Sequence, residues 1–164
     1  MRQTTLCYLD DGRRYLMLHR VKKEHDPSHG KWIGVGGKCE AEESIDECMV
    51  REVREETGLT VSRWQYRGIV TFISDTWEDE YMHLFTADRW SGSLADNCDE
   101  GELSWVDKDK VGELCLWDGD RIFLSLMADA SRPYFSLKLV YAGDRLTSAK
   151  LDGVELDTGK TDKL

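Results

Sequence analysis

Residues 37–59 read GKCEAEESIDECMVREVREETGL, and this stretch decides the fold. Ser44 and Glu47 have the spacing of a capping box, in which a hydroxyl and a carboxylate each bond to the other residue's backbone amide. Apolar residues recur every three or four positions as one stripe, and Gly58 supplies a permissive C-terminal stop. The sequence therefore predicts a helix of about three to four turns beginning near Ser44. Its apolar stripe comprises Ile45, Cys48, Met49 and Val53.

Three carboxylates share one face of this helix, because Glu52, Glu55 and Glu56 lie at i, i+3 and i+4. Two unit charges about 4 Å apart repel by roughly 1 kcal/mol in water and roughly 4 kcal/mol at an effective dielectric constant of about 20. Arg51 alone cannot neutralise three charges. The face is therefore either a fully solvated acidic surface or the site of a hard divalent cation with oxygen ligands. Just upstream, Gly36-Gly37-Lys38 favours the cation, since a glycine pair allows close backbone approach and a lysine can meet an anion.

The composition describes one acidic globular domain. The chain has 164 residues, of which 40% are hydrophobic, and a net charge of -10. We assign residues 1–156 to one domain and residues 157–164 to a polar tail. A negative field repels phosphate backbones and anionic lipid, so we expect no stable nucleic-acid binding and no membrane association. If the substrate is an anion, clustered cations or a bound metal must offset that field locally.

The cysteines and the N-terminus indicate a cytoplasmic protein. The five cysteines are an odd number without a CxxC pair, which fits neither a disulfide framework nor a zinc knuckle. The first nine residues lack a basic segment followed by an apolar one, and no run of about 18 apolar residues occurs. We expect reduced cysteines and a cytoplasmic location.

Strands outnumber helices in the rest of the pattern, which predicts an α/β fold with helices on both faces of a mixed sheet. Apolar runs at 4–9 and 15–20 flank Asp10-Asp11-Gly12-Arg13 and predict a hairpin. A charged surface loop over 21–31 precedes a short strand, 32–35, that leads into a Gly36-Gly37 turn. Further strands are expected over 68–73, 81–87 and 103–106, a second helix over 120–130, and a final hairpin over 135–141 and 146–151.

The opening stretch resembles the Nudix box, G-x5-E-x7-R-E-U-x-E-E-x-G-U with U apolar, and matches every specified position from Gly37 to Leu59. The resemblance implies the Nudix α/β/α sandwich and hydrolysis of a nucleoside diphosphate linked to another group. It also implies Mg²⁺, with Mn²⁺ as a substitute, held by Gly37, Glu52, Glu55 and Glu56. A metal bridging carboxylates and phosphates removes the repulsion and lowers the pKa of an attacking water.

Beyond the box, the chain is similar to MutT-type 8-oxo-dGTP diphosphatases, which implies further roles. Glu100 resembles an additional carboxylate that binds metal or accepts a proton from water, and Arg20 resembles a phosphate contact. Lys38 likewise resembles a phosphate contact, and the resemblance implies that Gly36 and Gly37 belong to the same substrate site. The matching segments are 18–20, 30–38, 71–72, 99–101, 105–106, 116–120 and 134–141, and the expected substrate-binding residues are Arg20, Gly36, Gly37, Lys38, Phe72, Trp117 and Asp120.

The base pocket is expected from Phe72 and Trp117 as walls and from Asp120 as the carboxylate that reads a purine edge. Each has a structural alternative: the aromatics as ordinary core residues, and Asp120 as a helix N-cap. Ile33 replaces an asparagine of the mammalian form and cannot donate an amide hydrogen bond to a base. If Asp118 shared the pocket with Asp120, their pairing would raise one pKa.

We therefore expect a magnesium-dependent enzyme that converts (8-oxo-)dGTP or a related purine nucleoside triphosphate to the monophosphate and pyrophosphate, as a monomer or a homodimer. Two alternatives stay open. One is a hydrolase of broader nucleoside triphosphates or of RNA 5′ ends. The other is a non-catalytic nucleotide-binding module, against which the intact carboxylates argue.

Overall fold

The computed structural model of the protein describes residues 1–160, which form ten β-strands, arranged in two sheets, and two α-helices. Short 3₁₀ turns follow at Lys108–Glu113 and Thr158–Lys160. The last four residues of the expected polar tail, 161–164, lie outside the described range. The helices are Ile45–Thr57 (α1) and Asp118–Met127 (α2), and the strands are Arg2–Leu9 (β1), Arg14–His19 (β2), Trp32–Ile33 (β3), Val35–Lys38 (β4), Thr60–Ser74 (β5), Glu80–Ser91 (β6), Glu102–Asp107 (β7), Phe135–Ala142 (β8), Arg145–Leu151 (β9) and Val154–Glu155 (β10).

The larger sheet is mixed, which confirms the α/β prediction. Its strand order is β10-β9-β8-β5-β6-β1-β4, with β1 parallel to β6 and β5 parallel to β8, and its other pairs antiparallel. The smaller sheet has the order β3-β2-β7 and is antiparallel. Alternate residues of β1 enter two separate cores. Leu6 and Tyr8 join the core that contains residues of α2, whereas Cys7 and Leu9 join the core that contains residues of α1. The two helices therefore cover opposite faces, as expected.

The hairpin predicted over the first two apolar runs is wrong, although the reversal itself is present. Asp11 donates its backbone N–H to the Arg14 carbonyl at 3.1 Å. However, β1 and β2 belong to different sheets, and within residues 1–160 their only backbone pairing is the isolated bridge between Asp10 and Tyr15. Both strands are buried over most of their length, so each needs partners on both edges. β4 and β6 take the edges of β1, and β3 and β7 take those of β2.

The single strand expected over 32–35 is also a correction, because the chain changes sheet at Gly34. β3 pairs with β2 and β4 pairs with β1. Gly36 and Gly37 lie inside β4 and form no turn. A Cβ on Gly36 would lie 1.8 Å from the Thr5 carbonyl oxygen. Glycine at this position therefore permits the close pairing of β4 with β1.

Helix α1 forms as its local signals predict. The Ser44 hydroxyl accepts the Glu47 N–H at 3.0 Å, and the Glu47 carboxylate accepts the Ser44 N–H at 2.7 Å, so both halves of the capping box are present. Gly58 ends the helix with φ of 80°, in the left-handed region that favours glycine. Cys48, Met49 and Val53 are buried, which anchors the helix and leaves Glu52 and Glu55 outside the core.

The remaining predicted elements occur in the expected order, and their strands are longer than predicted. β5 and β6 extend well beyond 68–73 and 81–87, and register shifts near Val61, Arg63 and Tyr66 break the alternation over the extension of β5. The predicted helix over 120–130 begins two residues earlier, at Asp118. The final hairpin is confirmed by the antiparallel pair β8 and β9.

Candidate active site

Arg51 organises the acidic face of α1. Its guanidinium donates from Nη2 to Glu43 at 3.0 Å, and from Nη1 to Glu52 at 2.8 Å and to Glu55 at 3.2 Å. Nη2 also donates to the Lys38 carbonyl at 3.1 Å. The ion pair between Arg51 and Glu43 therefore clamps the helix to the preceding loop. One arginine partly offsets two of the three glutamates, which sequence reasoning had left unpaired.

Glu56 is the buried member of the three glutamates, with 9% of its surface exposed. Its Oε2 accepts the backbone N–H of Gly36 at 3.2 Å. Burial, and then the negative charge of Glu52, raise its pKa to about 8, with a smaller contribution from Glu100. At neutral pH the carboxyl group therefore holds a proton unless a cation displaces it.

Glu52 lies directly against the glycine strand. A Cβ on Gly37 would come within 2.4 to 2.7 Å of the carboxylate atoms of Glu52. Any residue other than glycine would therefore displace this carboxylate. Burial raises the pKa of Glu52, and Arg51 opposes that shift. The Gly37 carbonyl receives a weak hydrogen bond from the Cys48 thiol at 3.8 Å. Glu55 is the exposed member of the three.

The donor set fits a hard divalent cation. Carboxylates and a backbone carbonyl are the oxygen ligands that Mg²⁺ prefers, and after burial the charge of the neighbouring Glu52 contributes to the raised pKa of Glu56. Within residues 1–160, no three acidic, histidine or cysteine side chains already converge on a common point. Arg51 accounts for part of that separation, because it draws Glu52 and Glu55 toward itself.

Glu100 belongs to a separate cluster of ion pairs, and its charge contributes to the raised pKa of Glu56. Arg20 Nη2 lies 3.2 Å from Glu100, and Lys23 Nζ lies 2.9 Å from it. Arg20 also donates to Asp26, whose side chain is 5% exposed. The structure thus brings Arg20 next to the carboxylates, as expected for a site residue, but pairs it with two acids. Asp26 is a site residue that sequence reasoning missed, since a lone aspartate in a charged loop carries no pattern.

A cavity of about 360 Å³ adjoins the glycine strand and joins the expected phosphate and base contacts. Gly36, Gly37 and Lys38 line one part of it, and Arg20 lies alongside. Trp117 and Phe72 line the other part, with ring centroids 6.2 Å apart in an edge-to-face arrangement. A larger cavity of about 680 Å³ lies elsewhere, and none of the predicted site residues lines it. Ile33 also lines the smaller cavity, together with residues that sequence reasoning did not place there, which include Tyr141, Ser28, Trp77 and Leu139.

The aromatic wall is fixed by polar contacts as well as by packing. Trp117 Nε1 donates to the Ser28 hydroxyl at 2.9 Å. The ring of Tyr141 meets that of Trp117 edge-to-face at 5.0 Å, and its hydroxyl accepts the Gly119 N–H at 2.7 Å. Trp117 is buried and Phe72 is half-buried. Both are therefore core residues and cavity walls at once.

Asp120 lines the cavity and is 6% exposed. The N-cap of α2 is Trp117, so the alternative of Asp120 as a helix N-cap is wrong. Burial raises the pKa of Asp120 to about 8, against the opposing charges of Lys31 and Arg121. A pairing with Asp118 does not account for the raised pKa of Asp120, because Asp118 does not contribute to the shift. Asp118 is also not among the described residues that line the cavity.

Fold and site together are those of a hydrolase that acts on diphosphate linkages. More particularly, the chain belongs to the Nudix family, whose sequence profile, described as a NUDIX domain, matches residues 1–127. Nudix hydrolases generally need a divalent metal, typically Mg²⁺. Within residues 1–160, no helix combines the length and apolar character needed to cross a bilayer.

Similar proteins place the chain among MutT-type Nudix hydrolases. It is 36% identical over 130 residues to an oxidized purine nucleoside triphosphate hydrolase of Danio rerio, covering 77% of this chain and 80% of that protein. It is 33% identical over 131 residues to an uncharacterized Nudix hydrolase of Bacillus subtilis, covering 77% and 79%. The crystal structure of a MutT protein from Bacillus halodurans superposes with a TM-score of 0.83 at 31% identity, covering 93% of this chain and 98% of that one.

Proposed function

We propose that this enzyme hydrolyses purine nucleoside triphosphates, with (8-oxo-)dGTP as the leading substrate, to the monophosphate and pyrophosphate. One observation carries the proposal: a single cavity runs from the glycine strand beside the glutamates to an aromatic pocket with a buried carboxyl group. Such a cavity can hold a polyphosphate at one end and a planar base at the other. The activity printed for the Danio rerio relative supports the same substrate class.

At the phosphate end, we assign Glu52, Glu55, Glu56 and Glu100 to catalysis and, with the Gly37 carbonyl, to metal binding. A divalent ion held there supplies Lewis-acid polarisation of a phosphoryl oxygen and lowers the pKa of water. The chain's own residues orient the group to be cleaved. Lys38 is exposed beside the cavity, and its ammonium forms no ion pair within the described part of the chain, so it is available to phosphate oxygens.

At the base end, Asp120 supports recognition of a purine edge. With a pKa of about 8, its carboxyl group is mostly protonated at neutral pH and can both donate and accept a hydrogen bond. A base that leaves such a buried group unpaired loses about 1 to 3 kcal/mol of binding. Ile33 lines the same pocket without a polar group, which favours a broader purine preference as the second candidate.

A substrate panel tests the proposal. Wild-type protein with Mg²⁺ is given dGTP, 8-oxo-dGTP, dATP, CTP and a 5′-triphosphate RNA, with separate assays for phosphate and pyrophosphate. We expect pyrophosphate release from purine triphosphates. Equal rates on all five substrates would support the broad hydrolase, and no turnover of any would support the non-catalytic module.

Variants then assign the two ends of the cavity. Glu55→Gln and Glu56→Gln should each lower kcat by about 100-fold or more, in the range known for key catalytic groups. Glu113→Gln is the matched control, because that glutamate is exposed and remote from the cavity. Asp120→Ala should change the preference among dGTP, 8-oxo-dGTP and dATP more than the rate of hydrolysis. Full Mg²⁺-dependent turnover in both glutamine variants would remove the metal assignment.

A further inference from the structure

Lys31 stacks its ammonium on the aromatic wall of the base pocket. Its Nζ lies 4.6 Å from the ring centroid of Trp117, and its side chain is 15% exposed. The same Nζ lies 3.8 Å from Oδ2 of Asp144, whose side chain is 73% exposed. A cation over an indole is attracted by the ring's negative face, and more strongly so when the pair is removed from water. The contact with Trp117 is therefore the more buried of the two.

The loop that carries Lys31 holds the indole in two ways. Ser28 accepts the Trp117 Nε1–H, and the Lys31 backbone N–H donates to the Ser28 carbonyl at 2.9 Å. One short segment thus fixes both an edge and a face of the ring. Among the described residues that line the 360 Å³ cavity, Trp117 and Asp120 appear and Lys31 does not. Lys31 must therefore act on a bound base through those two residues.

The second target of Lys31 is the buried carboxyl group. After burial itself, the charges of Lys31 and Arg121 are the influences on Asp120, and both favour its ionised form. Burial raises the pKa of the Tyr8 hydroxyl on β1 and of the Tyr141 hydroxyl on β8, and the negative charge of Asp120 adds to each shift. No side-chain hydrogen bond to Asp120 is present within residues 1–160. Lys31 is thus a cation, on a segment separate from α2, that limits how far burial suppresses the ionisation of Asp120.

We propose that Lys31 is a positioning residue for base recognition, whose ammonium holds in place the Trp117 wall of the pocket that Trp117 and Asp120 line. The inference rests on the proposed function, since it assumes that a purine occupies this cavity. Its consequence is that discrimination among purines depends on a residue that does not touch the base.

A purely structural role makes a different prediction. If Lys31 only tied its loop to the β8–β9 turn, its partner would be Asp144, and Asp144→Asn would have the same effect as Lys31→Met. Under our proposal Asp144→Asn leaves base recognition unchanged. Lys31→Arg keeps a cation that stacks well on an indole, so it should restore what Lys31→Met removes. Lys150→Met is the matched control, because that lysine is exposed on β9.

The experiment measures the binding of dGMP and dAMP by calorimetry to metal-free wild type and to these four variants, from about pH 6 to about pH 9. Monophosphates avoid turnover and the need for metal. For wild type we expect the dGMP to dAMP affinity ratio to change around the pKa of Asp120. For Lys31→Met we expect about tenfold weaker purine binding, and a midpoint shifted upward by about one pH unit, as loss of a nearby opposite charge predicts. Thermal unfolding checks that each variant is folded.

The outcomes separate the two proposals. Wild-type protein that binds neither monophosphate and hydrolyses no purine triphosphate contradicts the proposed function. Wild-type protein that binds purines, with Lys31→Met folded and unchanged in affinity and midpoint, overturns the role of Lys31 alone. Equal defects in Lys31→Met and Asp144→Asn also overturn it, in favour of a structural ion pair. Rescue by Lys31→Arg, with Asp144→Asn and Lys150→Met like wild type, supports it.

Discussion

Magnesium binding to the nucleotide-free protein should tighten with pH, because Glu56 must lose a proton before it can bind a cation. Burial and the charge of Glu52 raise its pKa to about 8. The ionised fraction of such a group is about 1% at pH 6, about 9% at pH 7 and about 50% at pH 8. Since a metal ligand must be deprotonated, the apparent dissociation constant should fall about ninefold from pH 6 to pH 7 and about fivefold from pH 7 to pH 8. Above pH 9 it should level off.

Calorimetry measures both the affinity and the protons released. Titrating MgCl₂ into the protein at about pH 6.5, in two buffers of different ionisation enthalpy, should show close to one proton released per ion bound. Glu56→Gln should abolish both the release and the pH dependence, whereas Glu113→Gln should match wild type. An affinity that stays constant from pH 6 to pH 8, with no proton release, would refute the assignment of Glu56 as a ligand.

Two further predictions concern the buried carboxyl group and the glycine strand. The folded protein raises the pKa of Asp120 from 3.8 to about 8, so the contribution of this group to stability is largest below its unfolded pKa and falls by up to about 1.4 kcal/mol per pH unit as pH rises through this window. Asp120→Asn should reduce this dependence on pH. The free energy of unfolding, measured with urea at pH 5 and pH 7.5, should change less between the two pH values for the variant than for wild type; an equal change would count against the prediction. Gly37→Ala should displace the flexible Glu52 carboxylate and cut turnover at least about tenfold while the fold survives, because carboxylate ligands must be placed accurately. Gly36→Ala would place a Cβ against the Thr5 backbone and should instead unfold the protein, as thermal melts would show. Equal melting temperatures for the Gly36→Ala and Gly37→Ala variants would contradict this contrast.

Helix α1 could be predicted to the residue because its signals are local. The capping box, the apolar stripe and Gly58 all lie within the helix or next to it, so no distant part of the chain was needed to define its ends. The carboxylate face follows from helical periodicity alone. The Arg51 to Glu43 ion pair was also within reach of sequence reasoning, since Glu43 lies just before the helix and Arg51 lies in its middle. The base-pocket residues Phe72, Trp117 and Asp120 came from a resemblance, and the structure places them together in one cavity.

The errors arose where tertiary contacts choose between local options. A turn sequence at Asp10-Asp11-Gly12-Arg13 specifies a reversal, but which strands pair afterwards depends on edges supplied by β4, β6 and β7. The glycine pair was expected in a turn because glycine commonly breaks strands, whereas here close packing on Thr5 and Glu52 explains it. Lys31 and Trp117 are far apart in sequence, and no periodic pattern connects a lysine in one loop with a tryptophan before another helix.

The ion pairs explain how a chain of net charge -10 can bind a polyanion. Arg51 is engaged by Glu43, Glu52 and Glu55, and Arg20 by Asp26 and Glu100. Both arginines are therefore satisfied by carboxylates, and phosphate oxygens must compete with those partners. A divalent cation that neutralises the carboxylates weakens their hold on the arginines. The same event lowers the negative field and frees positive charge, so metal and nucleotide binding should be strongly coupled in this site despite the negative net charge of the chain.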